Sequence, residues 1–385
     1  MNRSRDGRKL RVVVLVDSLL NPGGGERLAI ENARLIDRDR FERTLCITRF
    51  DPSHRTSEPA KSLIRGLEAD GVRVLGVERS AKLALNAWVP FVRLLRREGI
   101  DVIHGHMYGS NVWAVLLGRL CRVPVVIAHE HMWSYDGGRI RAVADRRLIA
   151  RGSDAFIAVS ETGKKLMTSA EGLDPADIVV IPNGVAALDL PSRSAGRERF
   201  GLAPDDLVVG SVGHLREEKA FETLVEATAI LRGETPNVKV IVAGEGPERE
   251  RLEGAIASHG LRGSFVLAGA REDVPHFLAA LDVAVCCSDF EGGPLSVMEY
   301  MRSGLPVVAT RVGGLPELLG ENEAGLFVPP RDPGALADAL GRLLSDPMLA
   351  KRLGESGRKR QRDEHDIGLW ARRVGELYAE LAGSV

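Results

Sequence analysis

The chain has 385 residues, 44% of them hydrophobic and 27% charged, with a net charge of −1. Such values exclude a disordered, collagen-like or membrane-embedded chain, and the length suits two domains better than one core. The charge is unevenly spread: residues 1–190 carry 29 basic and 23 acidic side chains, the remainder 23 and 30.

A basic first half suits an acidic neighbour such as an anionic membrane face, although its Arg residues are scattered over helices and read more simply as solvated surface. No tract alternates basic and aromatic residues, so nucleic acid is not an expected partner. The four cysteines, Cys46, Cys121, Cys286 and Cys287, have neither metal-knuckle nor redox spacing and read as buried thiols of a reducing compartment. A cytoplasmic location follows as an expectation, with the inner face of the cell membrane as the place of any peripheral contact. The basic N-terminus runs into only a short apolar stretch, Val12–Val16, which Asp17 closes; this reads as a first buried strand and not as a signal peptide.

From the N-terminus, apolar runs alternate with helical periodicity. Strands are predicted at 11–16, 43–48, 101–104, 124–128, 154–159 and 178–181, then at 207–212, 238–243, 264–268, 282–286 and 306–309. Runs apolar on both faces are expected of parallel strands covered by helices. Twofold repetition of the pattern predicts an α/β protein of two Rossmann-like doubly wound domains. The boundary is placed in the Pro- and Ser-rich segment 183–201, giving domains 1–190 and 191–365. The last helix, with Trp370, Val374, Leu377, Tyr378 and Leu381 at helical spacing, has to pack on one of them, and the first domain is the expected host of residues 366–385. Ligands of such sheets bind beyond the C-terminal strand ends, so the chemistry is expected on those loops and in a cleft between the two halves.

The loop Asn21–Arg27 follows the first strand and opens a helix. Gly24 and Gly25 there let a phosphate approach backbone N–H groups, although a plain tight turn explains them equally well. The segment Asp289–Glu299 follows the strand 282–286. Pro294 suits the first helical position, which leaves the N–H groups of Leu295 and Ser296 aimed at an anion. Gly292 and Gly293 clear the approach. Glu291 in the loop and Glu299 two turns on can meet sugar and ribose hydroxyls. Arg216 and Lys219, at the end of the strand 207–212, supply positive charge where a divalent ion would otherwise stand.

Two His-x-His pairs, His104/His106 and His129/His131, stand at strand ends, where alternate residues share a face and can chelate zinc. A zinc hydrolase is therefore a weaker alternative. Asp37-Arg38-Asp39 looks like a metal-holding Asp-x-Asp but sits among arginines at a helix end, as a surface turn does. Residues 83–97 mix Trp88, Phe91, Leu94 and Leu95 with three arginines; such a helix can lie on a membrane but more often packs on its sheet.

Taken together, these segments resemble the retaining GT-B glycosyltransferases of glycosyltransferase family 4. Glu291–Glu299 with MRSGLPVVATRVGGLPELL resembles the E-x7-E signature. GGGERLAIENARL, DVIHGHMYGSN, VPVVIAHEHMW, AVSETGKKLM, VVIPNGV and AGEGPERERLE resemble its other blocks, over nearly the whole chain. The resemblance implies a metal-independent transferase that uses a nucleotide diphosphate sugar as donor and a glycan or lipid-linked acceptor, with no cofactor. It assigns His106 (His104 less so), Lys219 and Glu291 to catalysis. Gly24, Gly25, Arg216, Gly244, Glu245, Gly292, Gly293, Leu295, Ser296 and Glu299 are assigned to the donor. Three positions depart from the pattern: His214 replaces an Arg, Ala220 a Gly, and Ala186 an Asp. A nucleotide-sugar epimerase and a non-catalytic binding protein share the same fold and remain alternatives.

Overall fold

A computed structural model of the chain describes residues 8–20, 22–79, 84–131, 141 and 143–383, the side chains of residues 170 and 171 excepted. The first seven residues, Asn21 of the glycine loop and Leu83 of the basic segment lie outside the described residues. Contacts divide the chain into two units, Met1–Asn183 with Gly368–Val385, and Gly184–Ile367.

The first unit holds a parallel sheet of β1 (Leu10–Val16), β2 (Phe41–Ile47), β3 (Arg73–Gly76), β4 (Val102–His106), β5 (Val125–Glu130), β6 (Ala155–Ala158) and β7 (Ile178–Val180), in the order β3-β2-β1-β4-β5-β6-β7. The second unit holds β8 (Leu207–Val212), β9 (Val238–Ala243), β10 (Phe265–Gly269), β11 (Val283–Cys286), β12 (Val307–Thr310) and β13 (Gly325–Val328), ordered β10-β9-β8-β11-β12-β13. Both are the Rossmann-like doubly wound sheets expected from the alternation of strands and helices. Central strands such as β4, β5, β11 and β12 are buried at every position, because helices cover both faces. In each sheet the strand order reverses beside the first strand, which puts the crevices of β1/β4 and β8/β11 at the sheets' C-terminal edges.

Two strands have no counterpart in the predicted set, β3 and β13. Both are four-residue edge strands with partly exposed patterns, and β3 opens on Arg73. An edge strand needs only half its residues apolar, so its signal is weak.

The segment 85–98 forms a turn (Leu85–Trp88) and a helix (Val89–Glu98). Trp88, Phe91 and Leu95 are buried in the first unit's core, as a helix packed on its sheet requires. Asp37 and Asp39 are exposed in a turn in which the Asp39 N–H donates to the Asp37 carboxylate at 2.8 Å. The C-terminal helix Ile367–Gly383 lays Trp370, Val374 and Tyr378 into the first unit's core, with Tyr378 edge-on to Phe41. Among the described residues no helix is long and apolar enough to cross a membrane.

Candidate functional site

The predicted site residues are divided between the two units, and one group of them gathers in each.

In the second unit, β11 ends at Cys286, and the loop that follows carries Ser288 and Glu291 inward. Glu291 is 4% exposed. Its Oε1 accepts from Lys219 Nζ at 2.6 Å and from Ser288 Oγ at 2.7 Å. Lys219 closes a short turn (Glu217–Lys219) after β8. Burial opposes its charge, but the adjacent Glu291 carboxylate outweighs that and holds the Lys219 pKa above its usual value. The Cys286 thiol is pushed up to about 12 by burial and then by Glu291, so it is no nucleophile.

The helix Leu295–Ser303 begins just past Glu291. Pro294 takes the N-cap position with extended backbone (φ −69°, ψ 122°) and not the first helical position predicted from the sequence. It supplies no side-chain cap, so the helix cannot satisfy the N–H groups of Leu295 and Ser296 from within. Gly292 is buried and Gly293 partly so; Glu299 is 3% exposed inside the helix. Tyr300 ties the helix to β8 by accepting from the Val212 N–H at 2.5 Å.

Two close approaches shape the surrounding loops. A side chain on Gly244 would overlap the Gly213 carbonyl oxygen, so the loops after β8 and β9 meet backbone to backbone. A side chain on Gly313 (φ 51°) would overlap the Glu291 carbonyl oxygen, which accepts from the Gly314 N–H at 2.9 Å. Glu245, the neighbour of Gly244, is exposed and 3.5 Å from Arg249. Arg216 is half exposed, 3.9 Å from Glu218, and lines a surface cavity of about 220 Å³ with Phe221, Arg251, Asp289 and Arg331; neither Lys219 nor Glu291 is in that wall. His214 is exposed. Ala220, where the resemblance expects glycine, sits at φ 48°, ψ 38° as the N-cap of the helix Phe221–Glu234. Left-handed backbone is strained for alanine and free for glycine.

In the first unit, Gly23 caps the helix Gly24–Leu35, again with no side-chain bond. Gly24 is exposed and Gly25 buried. A Cβ on Gly25 would fall 2.7 Å from Met107 Sδ and 3.2 Å from His131 Cδ2, so packing alone requires glycine there. Met107 itself has φ 66°, a strained turn directly after His106.

β4 and β5 pair with His106 opposite His129, which merges the two His-x-His pairs into one buried stack. His104, His106 and His129 are 0% exposed and His131 is 9%. His106 Nδ1 is 2.8 Å from His131 Nε2, and His106 Nε2 is 3.2 Å from Asn32 Nδ2. Asn32 also lies 3.0 Å from His104 Nδ1 and donates to Tyr378 Oη at 2.7 Å. Asn111 fixes the strand end by exchanging two hydrogen bonds with the His129 backbone, at 3.0 and 3.1 Å. Burial, followed by mutual repulsion, pushes His104, His106 and His129 well below the usual range; burial brings His131 down to about 3.

Several contributors carry no motif of their own in the sequence: Ser288, Tyr300, Gly313, Asn32 and Tyr378. The VGG triplet ending at Gly314 was the one available signal, since paired glycines after a strand mark a close backbone approach.

The comparisons with known proteins agree on one lineage. Residues 192–360 match the family described as glycosyl transferases group 1, and residues 22–187 match glycosyltransferase family 4. The chain is 30% identical to the 2-deoxystreptamine glucosyltransferase of Streptomyces kanamyceticus, over 72% of this chain and 76% of that protein. The chain belongs to the group 1 and family 4 glycosyltransferases. This glycosyltransferase is also 28% identical to the α-D-kanosaminyltransferase of the same organism, over 74% of this chain and 79% of that one. Its fold is that of Anabaena HepE solved with UDP and glucose, with a TM-score of 0.82 and 22% identity over 96% of this chain and 99% of the other.

Proposed function

We propose that this glycosyltransferase moves a sugar from a nucleoside diphosphate sugar to an acceptor hydroxyl, with retention at the anomeric carbon and without a divalent ion in the reaction. The donor diphosphate lies on the second unit. One observation carries the reading: a buried Lys219–Glu291 pair stands at the mouth of a helix with no side-chain cap. The pair is neutral as a whole, so a dianionic diphosphate needs further positive potential, and the N–H groups of Leu295 and Ser296 supply it. When the diphosphate arrives, Lys219 turns toward it, and Glu291 is freed to accept from a sugar hydroxyl.

In the proposed step the acceptor oxygen bonds to the anomeric carbon on the face from which the diphosphate leaves. The bond between that carbon and the phosphate oxygen breaks, and the hydroxyl proton passes to that oxygen. No protein base is needed; the chain contributes position and stabilisation of the leaving charge. Glu299 is assigned to the ribose. Gly244 and Glu245 are assigned to the base side, and Gly292 and Gly293 to the approach of the phosphates. Gly24 and Gly25 are assigned to the first unit's phosphate loop, and Arg216 to the outer charge of the diphosphate. His106 is assigned to the neighbourhood of the reacting carbon. The first unit takes the acceptor, for which a cell-envelope or capsular glycan, free or lipid-linked, suits the basic first half.

The test is transfer from a panel of nucleotide sugars, with the product anomer read by NMR. Retention in chelator, lost in Glu291→Gln, supports the reading; an inverted product or strict dependence on a divalent ion contradicts it. The fold match to a protein solved with UDP and glucose makes UDP-sugars the first donors to try.

A further inference from the structure

The connections β3–β4, β4–β5 and β5–β6 lay three helical segments side by side over one face of the first unit's sheet: the helix Val89–Glu98, the helix Met107–Cys121 and the helical turn Asp145–Ala150. The first two meet through Trp88 and Trp113, whose ring centroids are 4.4 Å apart, and through Arg96, which donates to the Leu120 carbonyl at 3.5 Å. Arg119 Nε ties the second to the third by donating to the Gly152 carbonyl at 2.9 Å. Trp88, Phe91 and Leu95 face the core, so packing on the sheet uses only the inner side of this layer. Its outer side combines two features. Of the ten large hydrophobic side chains exposed among the described residues, five stand on or beside these segments: Leu85, Val89, Leu116, Leu120 and Val143, with Leu85 66% and Leu120 59% exposed. Residues 85–97 and 111–124 also hold five arginines and no carboxylate. Arg93, Arg96, Arg97 and Arg122 are exposed, and none has an ion-pair partner among the described residues. Arg146, Arg147 and Arg151 continue the exposed positive charge along the third segment. The neighbouring carboxylates Glu98 and Asp154 are already held by Arg73 and Arg119.

We propose that this outer face docks on an anionic lipid bilayer. The guanidinium groups take lipid phosphates as bidentate forks, and the aliphatic side chains between them enter the boundary of headgroups and acyl chains. Either feature alone has a plainer use: single exposed leucines are ordinary, and an arginine surface by itself suits any polyanion. Their interleaving on one face selects a partner that is negatively charged outside and apolar just beneath. A nucleic acid or a uniformly acidic protein surface lacks the second property. No helix has to leave the sheet, because the side that docks is not the side that fills the core. Docking requires neither donor nor acceptor, so it stands independently of the transferase reading.

Full-length protein should float with vesicles of phosphatidylglycerol and phosphatidylcholine but not with pure phosphatidylcholine, and the binding should weaken as salt rises. Reversing three charges together, Arg93→Glu with Arg96→Glu and Arg97→Glu, should weaken it by about 100-fold. Leu116→Ser with Leu120→Ser, which leaves the charge intact, should weaken it by about tenfold. Arg262→Glu with Arg352→Glu, exposed on the second unit, should leave it unchanged. Far-UV circular dichroism checks that each variant folds; should the triple variant not fold, Arg146→Glu with Arg147→Glu takes its place, with a loss in the same direction. A wild type that ignores anionic vesicles or binds neutral ones equally well overturns the proposal, as does undiminished binding in a folded arginine variant. So does a loss in the arginine variant with none in the leucine variant, which would assign the face to a nucleic acid or an acidic protein.

Discussion

Lys219 Nζ lies 2.6 Å from Glu291 Oε1, and both groups are largely buried at the foot of the helix Leu295–Ser303. A buried pair of this kind is weak evidence for stability, because desolvation offsets most of the attraction. Under the proposed function the pair has a use: it stores a charged, oriented ammonium for the donor diphosphate. Lys219→Met should therefore lower kcat/KM by about 10²–10³. If the proposed function holds, UDP should raise the melting temperature of the wild type, read by scanning fluorimetry, and Lys219→Met should abolish that shift. A Lys219→Met protein with unchanged UDP shift and turnover would remove Lys219 from the site.

Ala220 makes a prediction of the opposite sign. Its backbone is left-handed, at φ 48°, immediately after Lys219. Ala220→Gly relieves about 1–2 kcal/mol of strain and gives back about 0.4–1 kcal/mol through the freer unfolded chain. The second unit should then melt about 1–3 °C higher, with transfer unchanged. A lower melting temperature would mean that the strain is absent.

Gly313 tests how Glu291 is positioned. Alanine there has to clear the Glu291 carbonyl oxygen while holding φ near 51°. Gly313→Ala should cost about 1–3 kcal/mol and lower transfer well beyond what the stability loss explains, because the displaced backbone carries the carboxylate. Wild-type kinetics in a Gly313→Ala protein would show the loop to be independent of the site.

Asp145 gives a pH signature in the first unit. It is fully buried, with Arg141 Nε 3.6 Å away, and burial raises its pKa to about 6 despite that cation. The folded pKa stands above the unfolded value, so the fold disfavours ionisation. The contribution of Asp145 to stability is greatest below about pH 4, falls between about pH 4 and 6, and stays reduced above. Asp145→Asn removes the penalty. After allowance for screening by solvent and Arg141, it should stabilise the first unit at pH 8 by about 1–2 kcal/mol. The gain should vanish at pH 4, read as paired thermal melts. A gain independent of pH would assign the effect to packing.

How far the sequence could be read depended on how local each signal was. Central strands announced themselves as unbroken apolar runs, and both sheets followed from their alternation with helices. The edge strands β3 and β13 did not, because half-exposed four-residue segments are hardly distinguishable from loops. The Glu291 loop and the helix start at Leu295 were legible because two glycines and a proline stand beside them in a short window. Pro294 was misplaced by one position, which is the resolution such a signal has. Ser288 was invisible in its role, and the glycine pair at 313–314 signalled a close approach without its partner: each acts on Glu291 through a contact made only after folding. The two His-x-His pairs were visible singly. Their fusion into one stack depends on the β4–β5 register, which sets His106 against His129 and which no window of sequence states.

The measurement that bears most directly on the whole account is a crystal structure with a nucleoside diphosphate sugar bound. The diphosphate should lie within hydrogen-bond distance of the Leu295 and Ser296 N–H groups and of Lys219 Nζ, with Glu291 on the sugar and no ion between. A diphosphate bound elsewhere, or bridged to the protein by a metal ion, would contradict it.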